Sequence, residues 1–199
     1  VKSSPVPVVA VDRAVPESGL PTVQMNHEKS GYMCTKHLLE LGHRHIGCCM
    51  SPGFITARIE RGQGYRAALK EFGVPFDEKL LFEVSYTEGS NTGIFERMLK
   101  EGVTAILTVN DAGALEFYRF AMQKGVRIPE DVSVVGSDDS PFADLLSPPL
   151  TTVRQPVRMI GAPAVDTLLD LIDKKDRQQP LPQQFDPQLV VRGSTIMAR

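Results

Sequence analysis

The chain of 199 residues predicts an α/β fold, a parallel sheet flanked by helices. Three observations carry that expectation. From His45 onward, short apolar runs alternate with segments of helical periodicity, and strand–helix repeats joined by short loops build parallel sheets. The runs 104–109 and 132–135 show almost no polar alternation, as expected of strands covered on both faces. Each predicted helix in the first two-thirds of the chain is followed by a glycine, Gly42, Gly73, Gly102 or Gly125, the residue that ends helices most readily.

In order, a first strand spans Val6–Val11 and a turn-rich loop spans Asp12–Pro21. The chain has no starting Met and opens directly into a strand, so it reads as beginning in the middle of a domain. A short strand, Thr22–Met25, leads to Asn26, an N-cap type, and a helix to about Leu41 with Cys34, Leu38 and Leu41 on one face. His45–Met50 is a strand. Ala57–Phe72 is a helix with Tyr65, Leu69 and Phe72 as its buried stripe, and Leu80–Ser85 is a strand. Ser90 is the expected cap of a helix to Lys100, and Asp111–Lys124 is the next helix. Val132–Val135 is the fourth strand of this series; Gly136 frees the chain for a sharp exit into the acid pair Asp138–Asp139. An extended run, Leu150–Val153, a helix over Val157–Asp173 with Ile160, Val165, Leu168, Leu169 and Ile172 apolar, a Gln- and Pro-rich loop and a last strand near Gln188–Arg192 complete the chain.

Composition excludes several function classes. A net charge of −2 without a long basic run argues against nucleic-acid binding by this chain, which needs a concentrated cationic face. No apolar run approaches a membrane span, and residues 1–11 lack the order of a signal peptide. Cys34, Cys48 and Cys49 form neither a disulfide framework nor a zinc motif, which fits a reducing, cytoplasmic compartment. The histidines 27, 37, 43 and 45 lack HExxH or a shared helical face, so no metal site is expected.

In open parallel sheets, ligands bind beyond the carboxyl ends of the strands. The residues expected there are Ser51, Phe54, Arg58 and Arg61, then Tyr86, then Asn110 and Asp111, then Asp138 and Asp139. Arginine donates a planar fork, aspartate accepts, asparagine does both, and an aromatic covers an apolar sugar face. That set suits a polyhydroxyl ligand and contains no clear nucleophile–base pair, so no enzyme is expected. Structural roles compete at each position. Asp111 is read as a helix cap and Asp139 as a turn residue. Arg58 faces either the site or solvent, with Glu60 as a local partner, and Tyr86 either walls the site or packs on its own lobe. A GxGxxA pattern at Gly62, Gly64 and Ala67, with Glu83 beyond, offers a weak dinucleotide fingerprint, but the glycines lie inside a helix instead of directly after a strand. Cys48 and Cys49 are read as inert core thiols.

Several motifs together resemble the lactose-repressor (LacI/GalR) family of bacterial transcription regulators. They are HLLELGHRHIG (37–47), Arg58-x-x-Arg61-x-x-Gly64-Tyr65, Asn110-Asp111, IPEDVSVVG (128–136), Asp138-Asp139, PPLTTVRQP (148–156) and LVVRGST (189–195), in the family's order and covering nearly the whole chain. The resemblance implies a two-lobed, periplasmic-binding-protein-like type I sensor domain, with the second lobe complete and the first partial. Residues 1–25 and 154–180 would belong to the N-terminal lobe, and 26–153 with 181–199 to the C-terminal lobe. The family's DNA-binding helix-turn-helix domain is absent from this chain. The implied effector site, between the lobes, comprises Asp12, Arg61, Asn110 and Asp138, with Arg58 and Tyr86 beside it; Ser137 stands where the family often has an aromatic. The implied partners are a small sugar-like effector, a second copy of the chain, and operator DNA through the missing domain, with no cofactor. Phe142, Leu145 and Leu146, clustered in a loop, are the candidate dimer contact. Two other readings are an exported sugar-binding transport protein, which the absent signal and the GHRHIG and TTVRQP motifs oppose, and a nucleotide-dependent oxidoreductase resting on the glycine pattern.

Overall fold

Two sheets divide the chain. The small one holds β1 (Ala10–Val11), β2 (Thr22–Met25) and β8 (Gln183–Phe185), all parallel. The large one has the order β4 (Leu81–Glu83), β3 (Ile46–Met50), β5 (Ala105–Leu107), β6 (Ser133–Asp138), β7 (Thr151–Arg154), β9 (Gln188–Val190). Its neighbours are parallel except β7 and β9. The computed structural model describes residues 6–15, 17–52, 56–85, 91–108, 110–173 and 182–199.

Both faces of the large sheet are covered, as its unbroken apolar strands require. Cys48, Leu107 and Val135 point toward α1 (His27–Glu40) and α2 (Thr56–Glu71), packing with Leu38, Tyr65 and Leu69. Their strand neighbours Cys49, Ile106 and Val134 point the other way, toward α3 (Thr92–Lys100) and α4 (Asp111–Lys124). This is the two-residue period of a strand read on two buried faces. On the second face Phe95, Phe117 and Phe120 form an aromatic triangle with centroids 5.2–5.8 Å apart.

Two glycines bring α1 and α2 together. A Cβ on Gly64 would lie 2.0 Å from the Glu28 carbonyl oxygen, and one on Gly31 would lie 2.2 Å from that of Arg61. The helices therefore touch backbone to backbone. Gly64 serves this contact inside α2, so the GxGxxA pattern is explained by helix packing.

Several elements differ from the sequence expectation. The first strand shrinks to Ala10–Val11; Pro7 lacks the N–H that a longer ladder needs. The strand predicted to stop at Val135 continues to Asp138, and Gly136 lies inside it. There a Cβ would meet Asp111 Oδ1 at 2.3 Å, so the glycine admits a side chain and does not serve as an exit. Asn91, with no capping bond, occupies the N-cap position of α3 and ties Ser85 to Glu116; Ser90 lies outside the described residues. Residues 183–185 pair with β2, so the last passage to the large sheet falls after them and not at 181.

The helix α5 (Val157–Asp173) packs on β1 and β2 through Ile160, Ala164 and Thr167. Of its apolar residues, Val165, Leu169 and Ile172 are each more than half exposed. The small sheet has three strands among the described residues, and they cover one face of the helix only.

The C-terminal tail is fixed by part-buried polar contacts. The ring of His43 reaches Thr104 Oγ1 at 3.0 Å and the Ile196 carbonyl at 2.9 Å, and His37 reaches Thr195 Oγ1 at 3.0 Å. Burial lowers the pKa of both imidazoles. His37 and His43 thus anchor the tail, and among the described residues no cluster of potential ligands could hold a metal.

Candidate functional site

A cavity of about 190 Å³ lies where strand ends of the two sheets meet. Its lining follows from the topology. Asp12 and Arg13 come directly after β1, His27 and Ser30 from the start of α1, Cys48 to Ser51 from the end of β3, and Ala57, Arg58 and Arg61 from α2. Leu107, Thr108 and Asn110 come from β5 and its exit, Ser137 and Asp138 from β6, and Gln155 from the passage between β7 and α5. These are the carboxyl ends of parallel strands, where α/β sheets place ligands.

Of the residues singled out in the sequence, Asp12, Arg58, Arg61, Asn110 and Asp138 line this one cavity. Tyr86 and Phe54 lie outside the described residues. Arg58 pairs with Glu83 at 3.2 Å, not with Glu60. Asp139 turns away from the cavity and takes hydrogen bonds from Arg154 Nε and Arg192 Nη2. Burial raises its pKa, but the two arginines outweigh burial and hold it below the ordinary value. Asp111 is not the helix cap. Asn110 is, accepting from the Gly113 N–H at 2.8 Å. Asp111 is fully buried and accepts from Thr152 Oγ1 and the Ser140 N–H, both at 2.6 Å. It therefore fixes the chain that carries Asp138. With its side-chain oxygen engaged in the cap, Asn110 keeps its amide NH₂ as a donor.

Sequence reasoning missed His27 and Gln155. His27 is 1 % exposed and joins three elements. Arg61 Nη2 donates to its Nδ1 at 3.4 Å, and its Nε2–H reaches the Asp12 carbonyl oxygen at 3.1 Å; the donor set of Arg61 assigns that tautomer. Asp12 Oδ1 lies 3.3 Å from the same nitrogen but makes no hydrogen bond of its own. Contact with His27 above all, against burial, holds the Asp12 carboxyl below its ordinary range. Gln155 Nε2 donates to Asp138 Oδ1 at 2.6 Å. Gln155 directly follows β7 and His27 lies two residues beyond β2, so the strand-end rule would have found them had it been applied to those strands.

The backbone carries strain at the same place. Asp12 (φ 62°), Asp138 (φ 139°) and Asp139 (φ 57°) all adopt positive φ, which non-glycine residues rarely do and which concentrates at functional sites. Burial pushes the Asp138 carboxyl up to about 6, against the Gln155 bond and the Arg61 charge. The thiol of Cys48 is pushed by burial to about 12, which leaves it protonated and unreactive.

Residues 35–195 match the family model described as periplasmic binding protein-like domain. The chain is 35% identical over 191 residues to the HTH-type transcriptional repressor PurR of Vibrio atlanticus, covering 95% of this chain and 57% of that protein. Among solved structures, it superposes on the transcriptional regulator CelR in complex with cellobiose with a TM-score of 0.85 at 34% identity, over 94% of this chain and 58% of that one. On a LacI family transcriptional regulator from Enterococcus faecium with bound ribose the TM-score is 0.88 at 26% identity, over 97% and 72%. The chain spans a little over half the length of the curated relatives it matches. The chain belongs to the periplasmic binding protein-like domain family, in the form that LacI-type transcriptional regulators carry as their effector-binding domain.

Proposed function

We propose that this chain senses a small polyhydroxyl effector in the cavity between its sheets and passes the result to a DNA-reading domain in the whole protein. The observation that carries the reading is the convergence of Asp12, from the small sheet, with Arg61, Asn110 and Asp138, from the large one, on one cavity. Arg61 and Asn110 donate, and Asp12 and Asp138 accept, so hydroxyl groups of one ligand can be held from both sides. The ligand then favours the arrangement in which both lobes reach it. Only such differential affinity can shift the balance between open and closed forms.

The regulatory names of the relatives, and the cellobiose and ribose bound to two similar structures, support a sugar effector, a non-enzymatic role and a cytoplasmic site of action. Homodimer formation through Phe142, Leu145 and Leu146 belongs to the same proposal. Leu145 is 80% exposed and supports it, whereas Leu146 packs partly on the chain's own core. Operator binding would follow dimer geometry, since two reading heads must match two half-sites.

Calorimetry against a panel of mono- and disaccharides, with NAD as a control, tests the reading. One-to-one binding of a sugar is expected. Tight NAD binding without sugar binding would overturn it.

A further inference from the structure

We propose that Ser137 selects the effector: its hydroxyl receives the innermost hydroxyl of a single-ring sugar, and its small size leaves room for that ring. This rests on the effector-site reading above. Ser137 lies in β6 between Gly136 and Asp138, is 2% exposed and lines the cavity, yet its Oγ makes no hydrogen bond among the described residues. Thr108 Oγ1 has carbonyl oxygens of Asn110 and Val135 at 2.9 and 3.1 Å for its one proton. Cys48, Cys49, Met50 and Leu107 contribute sulfur and hydrocarbon. Ser137 is thus the serine of the described lining whose buried Oγ is left unpaired, and a hydroxyl can both donate and accept.

A buried hydroxyl without a partner is unfavourable, and a ligand hydroxyl placed against it removes that penalty. The selectivity is asymmetric: a site built to bond a hydroxyl rejects an analogue lacking it, because its own group is then left unpaired. Size points the same way. An apolar protein cavity of roughly 150 Å³ accepts one benzene ring, so a cavity of about 190 Å³ has room for one sugar ring. A longer side chain at 137 would occupy the floor.

The test uses calorimetry on the wild-type chain, S137A, S137T and S137V with single-ring monosaccharides. The tightest binder is then compared with its monodeoxy derivatives. S137A is expected to weaken the parent sugar roughly tenfold to hundredfold while one monodeoxy derivative binds wild type and S137A equally. S137T should retain more affinity than S137V. Without ligand, S137A should melt at the wild-type temperature or above it, since it removes an unpaired buried group; a merely structural serine would lower it. Unchanged affinity in S137A, or equal loss across all monodeoxy derivatives, would overturn the inference, as would binding of disaccharides only. If no sugar binds the wild type, the effector reading fails with it. If a sugar binds and R61A abolishes that binding while S137A does not weaken it, this inference alone fails.

Discussion

Asp138 shows how a single residue couples the site to pH. Its carboxyl is buried at the end of β6 and titrates near 6, above the ordinary aspartate value near 3.9. A raised folded pKa contributes stability below the unfolded value, and that contribution is lost as pH rises through about 6. In the proposed site, ligand hydroxyls donating to the carboxylate would favour the ionised form and so link binding to proton release. Affinity for the effector should rise between pH 5 and 7 and level off above. Asp138→Asn should weaken binding and flatten this profile, as calorimetry at several pH values would record; an unchanged profile in the variant would assign the titration elsewhere. Legibility at this scale was uneven. Asn110 and Asp138 were visible because they lie just beyond the apolar runs 104–109 and 132–135, and Arg61 because it shares a helical face with Arg58 behind the run 45–50. Asp111 was misread because a sequence shows which residue types can cap a helix, but not that Asn110 already fills the role.

At the scale of elements, the alternation of strand and helix was legible, since buried parallel strands and glycine-closed helices leave strong local patterns. Strand ends and interfaces were less so. The length of β6 depends on Gly136 admitting Asp111, and the α1–α2 contact depends on Gly31 and Gly64; both are tertiary facts. Gly64→Ala should force the two helices apart and cost about 1–3 kcal/mol, the usual range for overpacking, measured by denaturant unfolding. The tail anchor gives a second prediction. Burial lowers the pKa of His37 and His43, so the folded state favours their neutral forms. Their contribution is present above the unfolded value near 6.5 and is lost as pH falls through the folded values. Stability should therefore fall on acidification below about pH 6.5, and His43→Ala should cost about 1–3 kcal/mol by leaving Thr104 and the Ile196 carbonyl without their partner. A variant as stable as wild type across that range would show that the tail is held otherwise.

For the whole molecule, the strand-end rule proved more informative than any single motif, because it holds for both sheets at once. It brings Asp12 and His27 to the same cavity as Asp138 although they lie more than a hundred residues apart in the chain. The sequence could not show which apolar residues of α5 would be covered, since that depends on how many strands lie against it. Self-association is the whole-molecule test of the exposed loop: Leu145→Lys should lower dimer content in sedimentation without altering the melting temperature. The central claim, a ligand site assembled from both sheets, rests most heavily on Arg61, whose backbone is set by the α1–α2 contact and whose guanidinium meets His27 and, through it, Asp12. Its most direct test is calorimetric titration of wild type and Arg61→Ala with the sugar that the wild type binds. The account predicts loss of measurable binding with an unchanged unfolding transition. Retained affinity in a folded Arg61→Ala variant would contradict it.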